Sequence, residues 1–450
     1  MQQAATKPPR IRSGTGTDTP DTGEEEVAMD TAVSHEAARL PPAADTVFRL
    51  LGAVLQIAST LVLARTLSID DTGLFFQGFV VTIAGATFMR AKFDLYISRH
   101  IVGRLDRDTG LSIADVLQVL SRRFMTRCCI ICAVLLVIAA DLDVTSQYLK
   151  PYLQTFVPFV IALPLAGYAT MISSALRAAN RWLQSLACTA YAMNSAIVLV
   201  ALVVPQPSLQ LFSWTFLAGS ALGAGLAWLF ARRLFGQPRQ DADACARIQA
   251  WKTINRSIHD DAGIGIANAV LTWGPLCLLV ALAPAREMAL YAIGTRTAQL
   301  IVYLMPALAH LTAPRTDREL ERLGGQHGRA ALRLSLIGLA IPTAIVAVVL
   351  LAGSHWTLAQ YGTPYETAFA VYLVLIVAEG FGAAIRPMFR HRAANWDADI
   401  ARRMLYAASA TAIAICLAGI AIKPALAAAI AFLTGHLVAA VLALRALRRP

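Results

Sequence analysis

The sequence predicts an all-α polytopic membrane protein of about twelve transmembrane helices, in two six-helix lobes related by a pseudo-two-fold axis along the membrane normal. Three observations predict it. Of 450 residues, 57% are hydrophobic and only 15% charged, with mean hydropathy +0.57, a balance suited to a bilayer rather than to water. Apolar runs of roughly 20 residues, enough to cross a hydrocarbon core of about 30 Å, recur along the chain after residue 45. The second half also repeats short patterns of the first in the same order.

Residues 1–45 come first and differ in kind: "SGTGTDTPDTGEEE" and its surroundings are rich in Thr, Pro and acids, and read as a disordered cytoplasmic tail without a signal peptide. The expected spans then follow at 46–64, 73–92, 128–147, 152–176, 185–204 and 209–230, forming an N-terminal lobe over 46–230. A polar stretch at 231–257 reads as a cytoplasmic linker. Beyond it, spans at 258–283, 287–312, 331–352, 364–386, 402–421 and 424–444 form a C-terminal lobe that closes, by residue 450, in a short basic tail.

"PYLQTFVPF" at 151–159 opens the fourth span as "PYETAFAVY" at 364–372 opens the tenth. Pro151, Tyr152, Phe156 and Phe159 thereby match Pro364, Tyr365, Phe369 and Tyr372. Gly167-Tyr168 and Gly380-Phe381 continue the register, as do Arg177 and Arg390. Six helices per repeat start both halves on the same side, which sets the symmetry axis along the membrane normal. Pro158, Pro164, Gly274-Pro275, Pro306, Pro342, Gly380 and Gly382 are candidate hinges, though such residues are common in membrane helices.

The net charge of +11 follows the membrane. Lys and Arg concentrate in the tail, the expected loop 90–127, the linker, "PRTDRELERLGGQHGR", "RPMFRHR" and "RALRRP", while the opposite loops hold Arg65, Lys150, Arg286 and Lys423. The positive-inside rule then sets both termini in the cytoplasm. The same distribution argues against a nucleic-acid partner, which requires one basic face on a soluble domain. Seven cysteines, six of them (Cys128, Cys129, Cys132, Cys188, Cys277 and Cys416) in expected helices and Cys245 in a loop, read as small apolar packing residues, not as disulfides or metal ligands. No P-loop, nucleotide fingerprint, HExxH or GxSxG is present, so no cofactor and no soluble-enzyme mechanism is expected. Short outer loops, the longest being "GSHWTLAQYGTP", leave little room for an extracytoplasmic catalytic domain.

Arg296 lies near the middle of "EMALYAIGTRTAQLIVYLMPALAHL". A guanidinium at that depth costs roughly 2.5–3.5 kcal/mol on insertion scales. It therefore faces a water-filled cavity and an anion, or an acidic partner. Glu379 in the tenth span is either that partner, a proton-coupling carboxylate or part of a solvated wall. Arg49, one turn into the first span, either reaches back to the interface or joins Arg296 in an anion site. Asn194, Asn268 and Gln299 are candidates for bonding between helices or for a sugar-binding surface. His259, Asp260 and Asp261 read as a helix cap.

The stretch "FRLLGAVLQIASTLVLARTLSIDDTGLFFQGFVVTIAGATFMRAKFDLYISRHI" resembles the polysaccharide flippases, the O-antigen and exopolysaccharide translocases of the multidrug/oligosaccharidyl-lipid/polysaccharide (MOP) exporter superfamily. Ala64, Arg65 and Leu67 match the end of that family's first helix, with Ser68 in place of a Gly. Gly73 and Phe75 follow, and Asp94 and Arg99 match the end of its second helix, where Lys92 or Phe93 stands for the usual Gly. Ala289-Leu290-Tyr291 echoes Gly73-Leu74-Phe75.

The resemblance implies alternating access by two lobes in a bacterial inner membrane. Its implied cargo is an undecaprenyl-diphosphate-linked oligosaccharide, moved from the cytoplasmic to the periplasmic leaflet for surface or secreted polysaccharide. Other polysaccharide-assembly proteins are its implied partners, and Arg296 would meet the diphosphate. A cation-coupled multidrug exporter of the same superfamily and a membrane glycan polymerase or ligase are the alternatives.

Overall fold

The computed structural model describes residues 42–100, 113–145, 150–179, 181–236, 244–304, 341, 343–393 and 398–448. Among them all regular structure is helical: α1 (Pro42–Thr66), α2 (Ile69–His100), α3 (Ile113–Thr145), α4 (Lys150–Ala178), α5 (Trp182–Val203, with a π turn at Ala187–Tyr191), α6 (Leu209–Phe235), α7 (Ala244–Leu282), α8 (Ala285–Ala298, its path continuing to residue 304), α9 (Thr343–Ala352), α10 (Ser354–Tyr361), a 3-10 stretch Thr363–Ala368, α11 (Phe369–Ala393), α12 (Ala398–Gly419) and α13 (Pro424–Arg448). Among the described residues nine helices are long and apolar enough to cross a membrane, and α9 with α10 supplies a tenth, bent by 61°. The two further expected spans, 128–147 and 287–312, fall in α3 and α8, which are described to residues 145 and 304.

The chain is a multi-pass membrane protein. Its outward apolar side chains, such as Val137, Leu202, Val203 and Val349, face where lipid would lie.

Local chemistry sets the helix ends. Ser68 accepts from the Asp71 amide at 3.1 Å and donates to its carboxylate at 2.8 Å, capping α2 with acid in the first turn. Ser208 accepts from the Leu211 amide at the start of α6, and Gly236 ends that helix at φ 79°. Glu287 of α8 accepts from the Ala425 amide at 3.1 Å, capping α13 from a neighbouring helix.

Several boundaries differ from expectation. The loop 90–127 shrinks, because α2 runs to His100 and α3 starts at Ile113. The linker 231–257 becomes helix from Ala244, since no Gly or Pro interrupts the chain between Ala244 and Gly263. Cys245 is therefore helical, and His259, Asp260 and Asp261 sit well inside α7 instead of capping it. Pro158, Pro164 and Pro275 lie within continuous helices. The sharp break occurs at Gly353, between α9 and α10. Pro306 and Pro342 lie outside the described residues. "GSHWTLAQYGTP" is not a loop: Leu358 and Tyr361 of α10 are buried while Trp356 is 71% exposed, an amphipathic turn at the membrane edge.

The repeat is visible in packing. A Cβ on Gly78 of α2 would collide with the Phe159 ring of α4, and one on Gly294 of α8 would lie 3.5 Å from the Tyr372 Cα of α11. Phe159 and Tyr372, matched by the sequence repeat, are both fully buried. Among the described residues the apolar interior is divided in three. One core joins both lobes at the end carrying the α1–α2 and α7–α8 turns, and includes Phe75, Phe216, Leu279, Tyr291 and Tyr372. At the other end each lobe keeps its own: Phe93, Leu120, Phe124 and Met171 in the first, Ala267, Leu405 and Ala412 in the second.

Candidate functional site

Where the shared core gives way to separate ones, a cavity of about 230 Å³ opens between the lobes, lined by α1, α2, α4, α5 and α6 on one side and by α7 and α8 on the other. Arg296 is one of its walls. It stands eleven residues beyond Ala285, about 17 Å along the helix and so near mid-bilayer. Among the described residues Arg296 is the one charged side chain lining the cavity. Its guanidinium lies 4.2 Å from the centroid of the Phe79 ring and 5.8 Å from that of Phe76. Among the described residues it makes no hydrogen bond or ion pair, so the pairing with Glu379, one of the sequence's alternatives, is not formed.

Polar groups continue along the same face of α8. Gln299 accepts from Gln56 Nε2 at 2.9 Å, and Tyr303 donates to Gln56 Oε1 at 2.7 Å. Residues 296, 299 and 303 share a helical face by their spacing, and Gln56 belongs to α1, so these bonds cross from one lobe to the other. On the opposite wall Ser59 donates to Asn194 Oδ1 at 2.9 Å, while Asn194 Nδ2 donates to the Ala190 carbonyl at 2.7 Å beside the π turn of α5. Thr189 and Ala190 of that turn line the cavity, as π turns often do at functional sites.

Gln56→Leu strips Gln299 and Tyr303 of their shared partner. It is expected to cost about 1–3 kcal/mol, seen as a lower melting temperature in detergent; an unchanged melt would show that the crossing bonds hold nothing together.

Arg296, Asn194 and Gln299 are thus brought together as the sequence suggested, and the other candidates are not. Arg49 is buried near the start of α1 with its guanidinium 3.6 Å from the Trp182 ring centroid, outside the cavity lining. Asn268 is exposed and also outside the lining, because its neighbours Ala267 and Leu271 turn the buried stripe of α7 toward α12. Glu379 is buried on α11, within electrostatic range of Tyr291 and Tyr303 but behind the cavity wall. Gln56, Ser59 and Phe79 were missed. The first two carried a signal, as polar residues within an apolar span.

The lobes meet tightly at the turn end. Arg65 Nε donates to the Gln360 carbonyl at 2.6 Å, and a Cβ on Gly73 would collide with the Ala285 carbonyl oxygen. Only glycine at position 73 permits that approach.

No family model and no curated protein sequence matches the chain. Its fold is nonetheless shared with solved structures. A lipid II flippase MurJ in an inward closed conformation superposes with TM-score 0.64, at 12% identity, over 89% of this chain and 87% of that one. An inward-facing multidrug-resistance MATE transporter of the MOP superfamily gives 0.60, at 13% identity, over 90% and 98%. A eukaryotic MATE transporter gives 0.53, at 12% identity, over 91% and 94%. The chain therefore shares the fold of these solved structures, a lipid flippase and two MATE transporters.

Proposed function

We propose that this chain, built on the MOP exporter fold, is a flippase. It carries a lipid-linked oligosaccharide with a diphosphate headgroup, in the undecaprenyl-diphosphate class, from the cytoplasmic to the outer leaflet for surface or secreted polysaccharide. The observation that carries this reading is Arg296: a mid-membrane guanidinium with no protein anion among the described residues, in a cavity whose other walls mix amides and hydroxyls with aromatic and aliphatic side chains. A guanidinium suits phosphate by charge and by its planar fork of donors. The surrounding amides and hydroxyls suit a glycan. The cationic lining disfavours the rival exporter of cationic drugs, because among the described residues no Asp or Glu faces the cavity.

The basic residues Arg122, Arg123, Arg127, Arg232 and Arg233 lie toward the end with separate cores, so the positive-inside rule makes that end cytoplasmic. The end closed by Gly73 and Arg65 is then periplasmic, and the molecule is closed to the outside. Alternating access consists of parting the lobes there.

The test is deletion in the native host, scoring both surface polymer and lipid-linked oligosaccharide held on the cytoplasmic side. Loss of polymer with accumulation of the intermediate is expected. Unchanged polymer with raised sensitivity to cationic drugs would hand the assignment to the drug exporter.

A further inference from the structure

We infer that Phe79 is the positioning residue of the anion site, and that the site is whole only while the two lobes meet. The inference rests on the flippase reading, in which Arg296 receives the headgroup.

Arg296 belongs to α8 in one lobe, and the ring it sits over belongs to α2 in the other. A cation over an aromatic face is held without using any N–H donor. All the guanidinium donors therefore stay available to a ligand, whereas a carboxylate partner would occupy them and compete with phosphate. The seat itself is rigid. Phe79 meets Phe216 with ring centroids 5.6 Å apart at 68°, and Phe76 at 6.3 Å and 75°. Phe76 in turn packs edge-on to Phe75 at 5.6 Å. The arrangement fixes where the guanidinium stands without neutralising it.

Because seat and cation are on different lobes, parting them removes the seat. Anion affinity should be high when the Gly73–Ala285 contact is made and lower when it opens, which favours capture from one side and release to the other. By linkage, the anion should in turn favour the closed contact.

Inorganic pyrophosphate is the probe, titrated calorimetrically into the full-length protein in detergent. Phe79→Leu keeps bulk but removes the π face, and should weaken binding about tenfold. Phe79→Tyr keeps the face and should restore affinity close to that of the parent. Gly73→Ala, which touches neither Arg296 nor the cavity lining, should weaken binding by wedging the lobes apart at Ala285. Parent-level binding in Phe79→Leu, with Arg296→Ala inactive, would overturn the positioning role while leaving the anion site standing. Parent-level binding in Gly73→Ala would overturn the dependence on lobe contact. Equal binding by the parent and Arg296→Ala, or none by the parent, would instead refute the flippase reading's anion site. Melting curves without ligand separate misfolded variants, and Phe79→Tyr keeps the test decisive if Phe79→Leu fails to fold.

Discussion

Arg296→Ala should abolish translocation while leaving the protein at least as stable as the parent. The two halves of that expectation come from one fact: a half-buried, mid-membrane guanidinium with no anionic partner among the described residues. Insertion scales set the cost of such a residue at roughly 2.5–3.5 kcal/mol, and the rings of Phe79 and Phe76 return only about 0.5–2 kcal/mol of it. Removing the charge relieves the remainder, so the melting temperature should hold or rise, the usual signature of a residue kept for function at the expense of stability. Binding loses the one charged side chain that lines the cavity among the described residues, and on the flippase reading export of the lipid-linked glycan in the complemented deletion strain should fall to background. Arg296→Lys should retain partial activity, since it keeps the charge but not the planar fork. A stable, fully active Arg296→Ala protein would leave the cavity without an anion site. A sharp loss of stability would recast Arg296 as structural.

Gly73→Val should be the second large effect, and for a steric reason. Its added atoms meet the Ala285 carbonyl oxygen, which is backbone and cannot swing aside as a side chain would. Overpacking of this kind costs typically 1–3 kcal/mol, and here the cost falls only on the state in which the lobes touch. That corresponds to a shift of roughly five- to 150-fold toward the state open at that end. Export should drop accordingly, and a membrane-impermeant thiol reagent added from outside should reach a cysteine placed at Thr295 in the cavity wall. Gly225→Ala is the matched control: nothing lies within 4 Å of that position, and the helix gains up to about 1 kcal/mol of propensity. If the outward reagent reaches position 295 no faster in Gly73→Val than in the control, the contact is not a gate.

The fold was legible because lipid imposes a simple code. Length and apolarity mark each span, and backbone satisfaction leaves only helix to fill it. What the code omits is how far helices extend into water, so α2 and α7 ran well past the expected ends. It also hides chemistry that depends on pairing. Arg296 announced itself because its cost demanded a reason, and Asn194 and Gln299 stood out in the same way. Phe79 did not, since an aromatic ring in a membrane helix is ordinarily packing. Its role appears only once α2 and α8, more than 200 residues apart, are side by side. Arg49 shows the reverse: its depth was readable, but its Trp182 partner was not.

The three-part interior has a consequence for how the chain could be divided. Each half owns a core at one end, and both contribute to the third. A chain cut between Gly236 and Ala244 severs no helix among the described residues. Two separately translated halves should thus each insert and then find one another through the shared core. Co-expression of the fragments should restore export to the deletion strain, and Phe216→Ala, which thins that shared core, should weaken their co-purification.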